Sequence, residues 1–513
     1  MADLNKVSKN LIEEVKLAST FKKNQLKNKS LVRSSSSTLA LAYEKARNAV
    51  EYRDEHLIHQ AAIERILRRR LFLNQSNEKI ANILLKELTW AKYIESSQFD
   101  KKRQEKLKKI INKYRSAGLL VPNSNTSQIL TGLCACEIDE FLNFDPINQI
   151  IINYVTQILN KKLIIDIADK TNKDIQTYIA VERGFAKNSE MLIRYKLLKV
   201  LLPNWEDSAK LLNTLEIIEK YLNYENRDFI RRKVVELSPA FNLARDFIVE
   251  NQNDIQNYFE KNGSETLMKK LKETLEQKYR ETKNKLLRAS KRSIIYIFLT
   301  KMVFAILIEV PFDILIGSIN YVVLAINILF PPTLMILFNS KVTLPNANNT
   351  QILIGKIVSY LQDSEDSFEK EEIIFKNKQS KIEQVFYYIF LLTSAVFVLG
   401  IIYFLSILGF NFISQLIFFF FLSVVSFFAF RVREISKDYL LSESRYESFL
   451  ETLTDYLFLP VIKVGQWLSI QVSKINILSF IFDFIIEAPL KTFLEIFEQW
   501  LHFVRVKKEE FLG

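Results

Sequence analysis

Residues 385–430 contain no Lys, Arg, Asp, Glu or His. A transmembrane helix needs about 20 apolar residues to cross a hydrocarbon core of about 30 Å. The uncharged run is long enough for two crossings, and Gly409-Phe410-Asn411 supplies a break between them. A buried hairpin of a soluble protein is the alternative, but soluble helices normally keep one charged face. The sequence therefore predicts a membrane hairpin with spans at 385–407 and 411–430.

The composition favours an all-α protein. Gly and Pro number ten each in 513 residues, well below the usual levels of about 7% and 5%. Few helix breakers and many Leu, Ile, Lys and Glu residues are typical of long helices. We expect a basic, Ser-rich and weakly ordered tail at 1–37, and a coiled-coil-like cytoplasmic bundle at 38–292. Within the bundle, Asp145-Pro146 and Ser238-Pro239 each predict a helix start, and Arg68-Arg69-Arg70 is expected to face solvent.

A second apolar region at 293–338 is interrupted by charges and prolines. Lys301, Glu309 and Asp313 fall in its first arm, and Pro331-Pro332 falls in its second. Either 294–310 and 319–338 are full spans, or the two arms form a re-entrant hairpin of half depth. The first interpretation gives two hairpins and about four spans in the whole chain.

The loop charges predict the orientation. Basic residues flank only one end of each predicted hairpin, and cytoplasmic loops are the ones enriched in Lys and Arg. These residues are Arg288, Lys291, Arg292, Lys341, Lys376, Lys378, Lys381, Arg431 and Arg433. We therefore expect both termini and the 339–384 linker in the cytoplasm, with the protein in the inner (plasma) membrane. The polar N-terminal residues lack a signal-peptide pattern, so internal spans are expected to drive insertion.

The C-terminal region, 431–513, is apolar but often interrupted by charge. Trp467 and Trp500 contribute to an aromatic face, and Arg431 and Arg433 lie next to a predicted span. These four residues are candidate interfacial anchors. Over 452–513 the alternatives are a pair of amphipathic helices lying on the membrane surface or helices packed on the soluble bundle.

Four segments of the chain resemble a family of uncharacterised multi-pass membrane proteins from small-genome candidate-phylum bacteria. The segments read AYEKARNAVEYRDEHLIHQAAIERILRRRL, YIAVERGF with LIRYKLLKVLLPNW, INYVVLAINILFPPTLMILF and IIEAPLKTFLEIFEQW. The resemblance spans most of 39–512. It implies a bacterial inner-membrane setting and brings no activity or catalytic motif with it.

Motifs for catalysis, metals or cofactors are missing from the sequence. His56 and His59 lack the spacing of helical metal ligands, and Cys134-Ala135-Cys136 is more typical of two small buried side chains than of a redox pair. No Gly-rich phosphate-binding pattern occurs. The basic clusters 65–70 and 101–109 lack interleaved aromatic residues, so anionic lipid headgroups or solubility explain them better than nucleic acid. We predict no catalytic residues, no metal and no cofactor.

Ionisable residues at membrane depth are the sharpest functional candidates, because they cost free energy and often mark a pathway or a buried pair. Lys301, Glu309 and Asp313 belong to this class, unless Lys301 snorkels to the interface and the two acids lie in the outer turn. Asn320 and Asn327 could form hydrogen bonds between helices. We expect a membrane scaffold that presents its helical domain to a protein partner or to a second copy. The alternative is an oligomeric channel or transporter that uses the polar residues of the first hairpin.

Overall fold

The computed structural model describes most of the chain. The described residues are 4–26, 57–94, 100–119, 125–167, 169–203, 205, 208–252, 263–316, 320–340, 347–362, 370–373, 375, 381–441, 449–474, 496, 500, 503 and 504. They are largely helical, which confirms the all-α prediction.

Packing divides the chain into two compact units. We call them the polar unit, which comprises 6–234, 369–373 and 475–513, and the apolar unit, which comprises 1–5, 235–368 and 374–474. The boundary differs from the one expected at residue 292, and it lies inside the helix Arg227–Glu250. The reason is tertiary: Asn242 of this helix donates to the carbonyl of Asp438 at 2.8 Å, and Phe241 stacks on Tyr360. Both partners are distant in sequence.

The polar unit is built of helices. Their bounds are α1 Lys6–Leu26, α2 Ile58–Phe72, α3 Asn77–Trp90, α4 Lys101–Tyr114, α5 Asn125–Asn143, α6 Pro146–Lys162, α7 Lys170–Gly184, α8 Glu190–Leu201, α9 Ser208–Leu222 and the start of α10, Arg227–Glu250. The side chains of Ser76, Asp100, Asp169 and Ser189 accept hydrogen bonds from the first turns of α3, α4, α7 and α8. Such caps replace bonds that the first amides of a helix cannot make internally.

The two predicted proline starts have different outcomes. Pro146 is the first residue of α6, as expected. Pro239 instead lies inside α10. A proline inside a helix removes one backbone hydrogen bond and favours a bend. Tertiary contacts hold α10 on both sides of Pro239: Lys233 pairs with Glu371, and Asn242 bonds to Asp438.

The N-terminal prediction was wrong where the structure describes it. Residues 6–26 form α1, although they were expected to belong to a weakly ordered tail. Val7, Leu11, Ile12, Val15 and Ala18 are buried, and α1 packs on α6 with Ser8 near the hydroxyl of Tyr154 at 3.4 Å. An apolar stripe at helical spacing was hidden by the many Lys residues between its members. The rest of the predicted tail lies outside the described residues.

Two short strands pair in the described part of the polar unit. β1, Leu163–Ile165, pairs in parallel with β2, Glu371–Ile373. The carboxylate of Glu371 also accepts from Lys233 at 2.6 Å and from Lys162 at 3.2 Å. A strand from the predicted 339–384 linker is therefore part of the polar unit.

The apolar unit contains the end of α10 and the remaining helices. They are α11 Gly263–Phe304, α12 Val310–Ile316, α13 Tyr321–Ser340, α14 Ala347–Gln362, α15 Lys381–Ile407, α16 Phe412–Ser436 and α17 Phe449–Lys474. A π-helical turn, Ala305–Glu309, joins α11 to α12 without a break.

Three helices among the described residues are long and apolar enough to cross a bilayer: Thr266–Leu315, Gln384–Ile407 and Phe412–Ala429. By length and composition this is a membrane protein. The fourth predicted span corresponds to the apolar stretch Tyr321–Leu337 of α13. At 17 residues it lies at the lower limit of about 17–25 residues for a spanning helix.

Neither alternative for the C-terminal region describes α17. This helix packs along α16, where Val461 is buried in a cluster with Phe418 and Leu422. The hydroxyl of Tyr456 lies 2.8 Å from that of Thr393 on α15. Trp467 and Trp500 are exposed, whereas the side chains of Arg431 and Arg433 and most of 475–513 lie outside the described residues.

Candidate intramembrane charge cluster

One helix carries all the ionisable residues of the first apolar region. Along α11, the π turn and α12, every fourth residue is buried, and the buried set is Ser293, Ile297, Lys301, Ala305, Glu309 and Asp313. The residues between them are apolar and exposed; they include Ile295, Leu299, Val303, Ile306, Leu307, Ile314 and Leu315. A helix surrounded by lipid is expected to turn its polar side chains inward and its apolar side chains outward.

The π turn brings Lys301 and Glu309 to one face. In a regular α-helix, residues eight positions apart are separated by two full turns and about 80° around the helix axis. A π turn accommodates one additional residue, so the eight residues turn about as far as seven would, roughly 20° short of two turns. Ala305–Glu309 is that turn, and it aligns the ammonium with the carboxylate.

Three buried side chains form the centre of the cluster. Lys301 is 0% exposed, Glu309 1% and Asn327 of α13 0%. The ammonium of Lys301 donates to Glu309 Oε1, and Asn327 Nδ2 donates to Glu309 Oε2 at 2.8 Å. Both carboxylate oxygens are therefore bonded, and the lysine is buried with its partner instead of snorkelling.

An aromatic ring from a third helix closes the cluster. Lys301 Nζ lies 4.9 Å from the ring centroid of Phe421 on α16, within the range of a cation–π contact. The charges of Lys301 and Glu309 cancel, which lowers the cost of removing them from water. The cluster thus connects α11, α13 and α16 through groups that would be costly to separate inside a membrane.

One acceptor in the cluster has no partner. Asn327 Oδ1 is buried and forms no hydrogen bond. Pro331 and Pro332, both buried, follow in the same helix, and proline supplies no amide hydrogen to the carbonyl one turn earlier. This part of α13 therefore has acceptor capacity beside the Glu309 carboxylate.

Asp313 belongs to a separate contact near the end of the helix. It accepts a hydrogen bond from Asn411 Nδ2 at 2.5 Å. Asn411 also caps α16, since its Oδ1 accepts from the amide of Ser414 at 2.8 Å. Asn320 caps α13 in the same way, through the amides of Val322 and Val323 at 3.1 and 3.2 Å.

The structure thus sorts the predicted residues into three roles. Lys301, Glu309 and Asn327 meet in one cluster, Asp313 pairs with Asn411, and Asn320 is a helix cap. Sequence reasoning used Asn411 only as a break and did not find Phe421. An Asn directly before an apolar run is a cap signal that could have identified Asn411, whereas nothing distinguishes Phe421 from its Phe neighbours.

The other described titratable candidates lie in the polar unit. Cys134 and Cys136 are buried as predicted, and burial raises the pKa of both thiols. Burial lowers the pKa of His59, although Asp139 acts in the opposite sense; His56 lies outside the described residues. Among the described residues, no group of three or more His, Cys, Asp and Glu side chains is placed to hold a metal ion.

The arginine run of α2 differs from the expectation. Arg69 is buried and bonds to both oxygens of Glu87 at 2.7 and 2.6 Å, and Arg70 also bonds to Glu87 at 2.7 Å. Arg68 is the member that faces solvent. Glu87 of α3 provides a buried counter-charge that a reading of the run alone cannot reveal.

Comparison with protein-family models, with curated proteins and with solved structures finds no match to this chain.

Proposed function

We propose that this protein is an integral membrane scaffold of the inner membrane, with two membrane hairpins that anchor a helical docking domain, the polar unit, in the cytoplasm. Four spans, α11–α12, α13, α15 and α16, would make up the hairpins. The observation that carries the proposal is the pairing of Lys301 with Glu309 inside the helix packing. The paired charges lie on one helix and are joined to the neighbouring helices through Asn327 and Phe421. They are therefore not available to line an aqueous path.

A hydrogen-bonded hub supports two hairpins that return to one side. Asn349, at the start of α14, donates to the hydroxyl of Tyr279 at 2.9 Å and to the carbonyl of Tyr439 at 2.8 Å, and it accepts from the amide of Leu441 at 2.9 Å. Tyr279 precedes the first span, Asn349 follows α13, and Tyr439 follows α16. The three segments therefore lie at one end of the unit. If each hairpin crosses the membrane twice, the chain returns to the same side after each hairpin, as these contacts require.

Contacts at the opposite end support the same topology. Asp313 near the end of α12 bonds to Asn411 at the start of α16, and the cap residue Asn320 lies beside the turn at Gly409. From Arg292 to Asp313 the helix rises about 30 Å, which matches the thickness of a hydrocarbon core.

An exposed apolar end of the polar unit is the proposed docking surface. Glu140 of α5 pairs with Lys199 of α8 at 2.7 Å, and Gly132 lies beside Met191, so the two helices run parallel. Phe144 follows the end of α5 and is 60% exposed, and Val200 lies at the end of α8 and is 73% exposed. Exposed apolar residues grouped at one end of a domain are typical of a protein interface.

Photo-crosslinking in cells tests the scaffold function. A photoreactive amino acid placed at Phe144 or Val200 of the full chain is expected to capture the same partner protein. Lys79, exposed at the start of α3, is the control position and is expected to capture none. Equal capture at all three positions, or none at Phe144 and Val200, would contradict the docking surface.

A channel or transporter remains the second candidate, and one observation favours it. The buried acceptor Asn327 Oδ1 lies beside Pro331-Pro332, and interrupted helices with free acceptors form the sites of many transporters. A single cysteine at Leu315, exposed on the first hairpin, would then form disulfides between copies. Leu392, exposed on α15, is the control. Crosslinks at Leu315 alone would favour an oligomeric channel over the scaffold.

A further inference from the structure

Five basic residues precede the exposed apolar surface of α11. Lys283, Lys285, Arg288, Lys291 and Arg292 are all exposed. No Asp or Glu occurs between Glu281 and Glu309, so the segment is positive over its whole length. We call residues 283–292 the basic segment. It continues directly into the apolar part of the helix because α11 is unbroken as far as Phe304.

The five basic side chains share one side of the helix. At 100° per residue they occupy an arc of about 200°. Leu286 and Ser293 are buried and fall in the remaining arc, where α11 contacts its neighbours. The basic segment therefore faces outward while the helix stays packed on its other side.

Exposed tyrosines place the basic segment at the depth of lipid headgroups. Tyr296 is exposed, and its ring lies 6.4 Å from that of Phe428. Phe428 is about 26 Å along α16 from the turn at 408–411, and the exposed Tyr388 is about 30 Å from the same turn along α15. Tyrosines at similar distances from one turn are typical of an interfacial belt.

The spacing between this belt and the charges fits a headgroup layer. Arg292 lies about 6 Å before Tyr296 along the helix, and Arg288 about 12 Å before it. Each headgroup layer of a bilayer is about 5–7 Å thick. Lys291 and Arg292 thus lie at the outer edge of the layer, and Arg288 lies about 5 Å beyond it, within one Debye length of the headgroups.

The ion pairs of Lys278 lie before the basic segment on α11. Lys278 pairs with Glu250 at 2.8 Å and with Glu281 at 3.2 Å. Glu281 is about 10 Å from Arg288 and about 16 Å from Arg292 along the helix, which is roughly one and two Debye lengths at physiological salt. Arg288, Lys291 and Arg292 are exposed, so their positive charge faces the surroundings of the protein.

We propose that the basic segment, centred on Arg288, Lys291 and Arg292, binds the headgroups of anionic phospholipids. This inference rests on the proposed membrane insertion and adds the lipid class and its site. Phosphate groups of lipids accept hydrogen bonds from Arg and Lys, and each basic residue near an anionic surface adds about 1 kcal/mol. The apolar residues that follow, from Ile295 onward, would contact the acyl chains of the same lipids.

Native mass spectrometry of the full chain in detergent tests the proposal, with phosphatidylglycerol and phosphatidylcholine as the added lipids. Phosphatidylglycerol is expected to bind more tightly than phosphatidylcholine. Combined replacement Arg288→Gln, Lys291→Gln and Arg292→Gln is expected to weaken phosphatidylglycerol binding about 100-fold and to leave phosphatidylcholine unchanged.

A matched variant on the same helix provides the control. Lys269→Gln, Lys272→Gln and Arg280→Gln change three exposed charges but lie at least about 22 Å from Ile295, so lipid binding should persist. Equal loss in both variants, equal binding of both lipids, or competition by soluble glycerol phosphate at lipid concentrations would each overturn the proposal.

Alkaline extraction of cell membranes separates this inference from the proposed function. Retention of the full chain in the pellet, together with equal binding of both lipids, would refute the lipid site alone. Release into the supernatant would refute membrane insertion itself, and with it the lipid site.

Discussion

Asn349 donates a hydrogen bond to the carbonyl of Tyr439, ninety residues further along the chain, at 2.8 Å. Its Oδ1 accepts from the amide of Leu441 at 2.9 Å. One buried amide thus fixes the segment that follows α16. We expect Asn349→Leu to lower the free energy of unfolding by about 2–4 kcal/mol, because two buried backbone groups lose their partners. Thermal unfolding of the detergent-solubilised protein would measure the loss, and Asn348→Leu, at an exposed neighbour, should have little effect.

Lys301 and Glu309 are expected to be strongly coupled. Lys301→Met or Glu309→Gln alone would leave a buried polar or charged group without its partner, at a cost of about 3–5 kcal/mol. The double variant should be more stable than the sum of the two losses predicts. A double-mutant cycle on the free energy of unfolding measures the coupling. Strict additivity would show that the pair does not form.

Gly465 marks a close approach of α17 to α16. A Cβ added at Gly465 would lie 2.8 Å from Phe427 Cβ and 2.9 Å from the carbonyl carbon of Ser423. Gly465→Ala should therefore destabilise the protein by about 1–3 kcal/mol through overpacking. Gly400→Ala, where a Cβ meets nothing within 4 Å, should be neutral or slightly stabilising. Equal melting temperatures for the two variants would argue against this packing.

Helix α1 offers a matched pair of leucines. Leu11 is 3% exposed and Leu17 is 62% exposed. We expect Leu11→Ala to cost about 2–5 kcal/mol, as for other buried leucines, and Leu17→Ala to stay within about 0.5 kcal/mol of wild type. Chemical denaturation monitored by circular dichroism would compare them. Similar values for both would show that α1 is not part of the core.

Glu371 should make stability depend on pH. Burial alone would raise the pKa of Glu371, but Lys233 and Lys162 outweigh burial, and the pKa is lowered from its ordinary 4.5. A lowered carboxyl pKa stabilises the folded state above the unfolded pKa, and this stabilisation is lost as the pH falls through the folded pKa. Glu371→Gln should cost about 1 kcal/mol at pH 7 and nothing well below pH 4.

The measurement for Glu371 is chemical denaturation of both proteins at several pH values. Protonated Glu371 is uncharged, as Gln is. The free energies of unfolding of the wild type and the variant should therefore converge as the pH falls. A difference that stays constant down to the acid limit would assign the effect to the shape of the side chain and not to its charge.

The sequence contained enough to predict the helical class and the apolar stretches, because charge-free runs and scarce breakers are local properties. It also singled out Lys301, Glu309 and Asn327, since polar groups in apolar segments are visible one residue at a time. The contact between Lys301 and Glu309 depends on the π turn at Ala305–Glu309, and no sequence pattern predicted that turn. The partner Phe421 comes from a different hairpin.

The predictions that failed share one cause. Each treated a segment by its own composition, while the outcome depended on a distant partner. The many lysines of residues 6–26 concealed a stripe that packs on α6, and the arginine run of α2 gave no sign of Glu87 on α3. Ser238-Pro239 has the local pattern of a helix start, whereas the contact that holds this part of α10, from Asn242 to Asp438, lies about 200 residues away in sequence.

The pairing of β1 with β2 imposes an order on biosynthesis. Glu371–Ile373 leaves the ribosome about 10–40 s after Leu163–Ile165 at ordinary translation rates of about 5–20 residues per second. During that interval the edge of β1 has no strand partner, and the residues of the first hairpin emerge. Pairing of the two strands in the polar unit therefore follows synthesis of the first hairpin. A fragment cut at residue 292 would lack that strand and leave an open edge available to other chains.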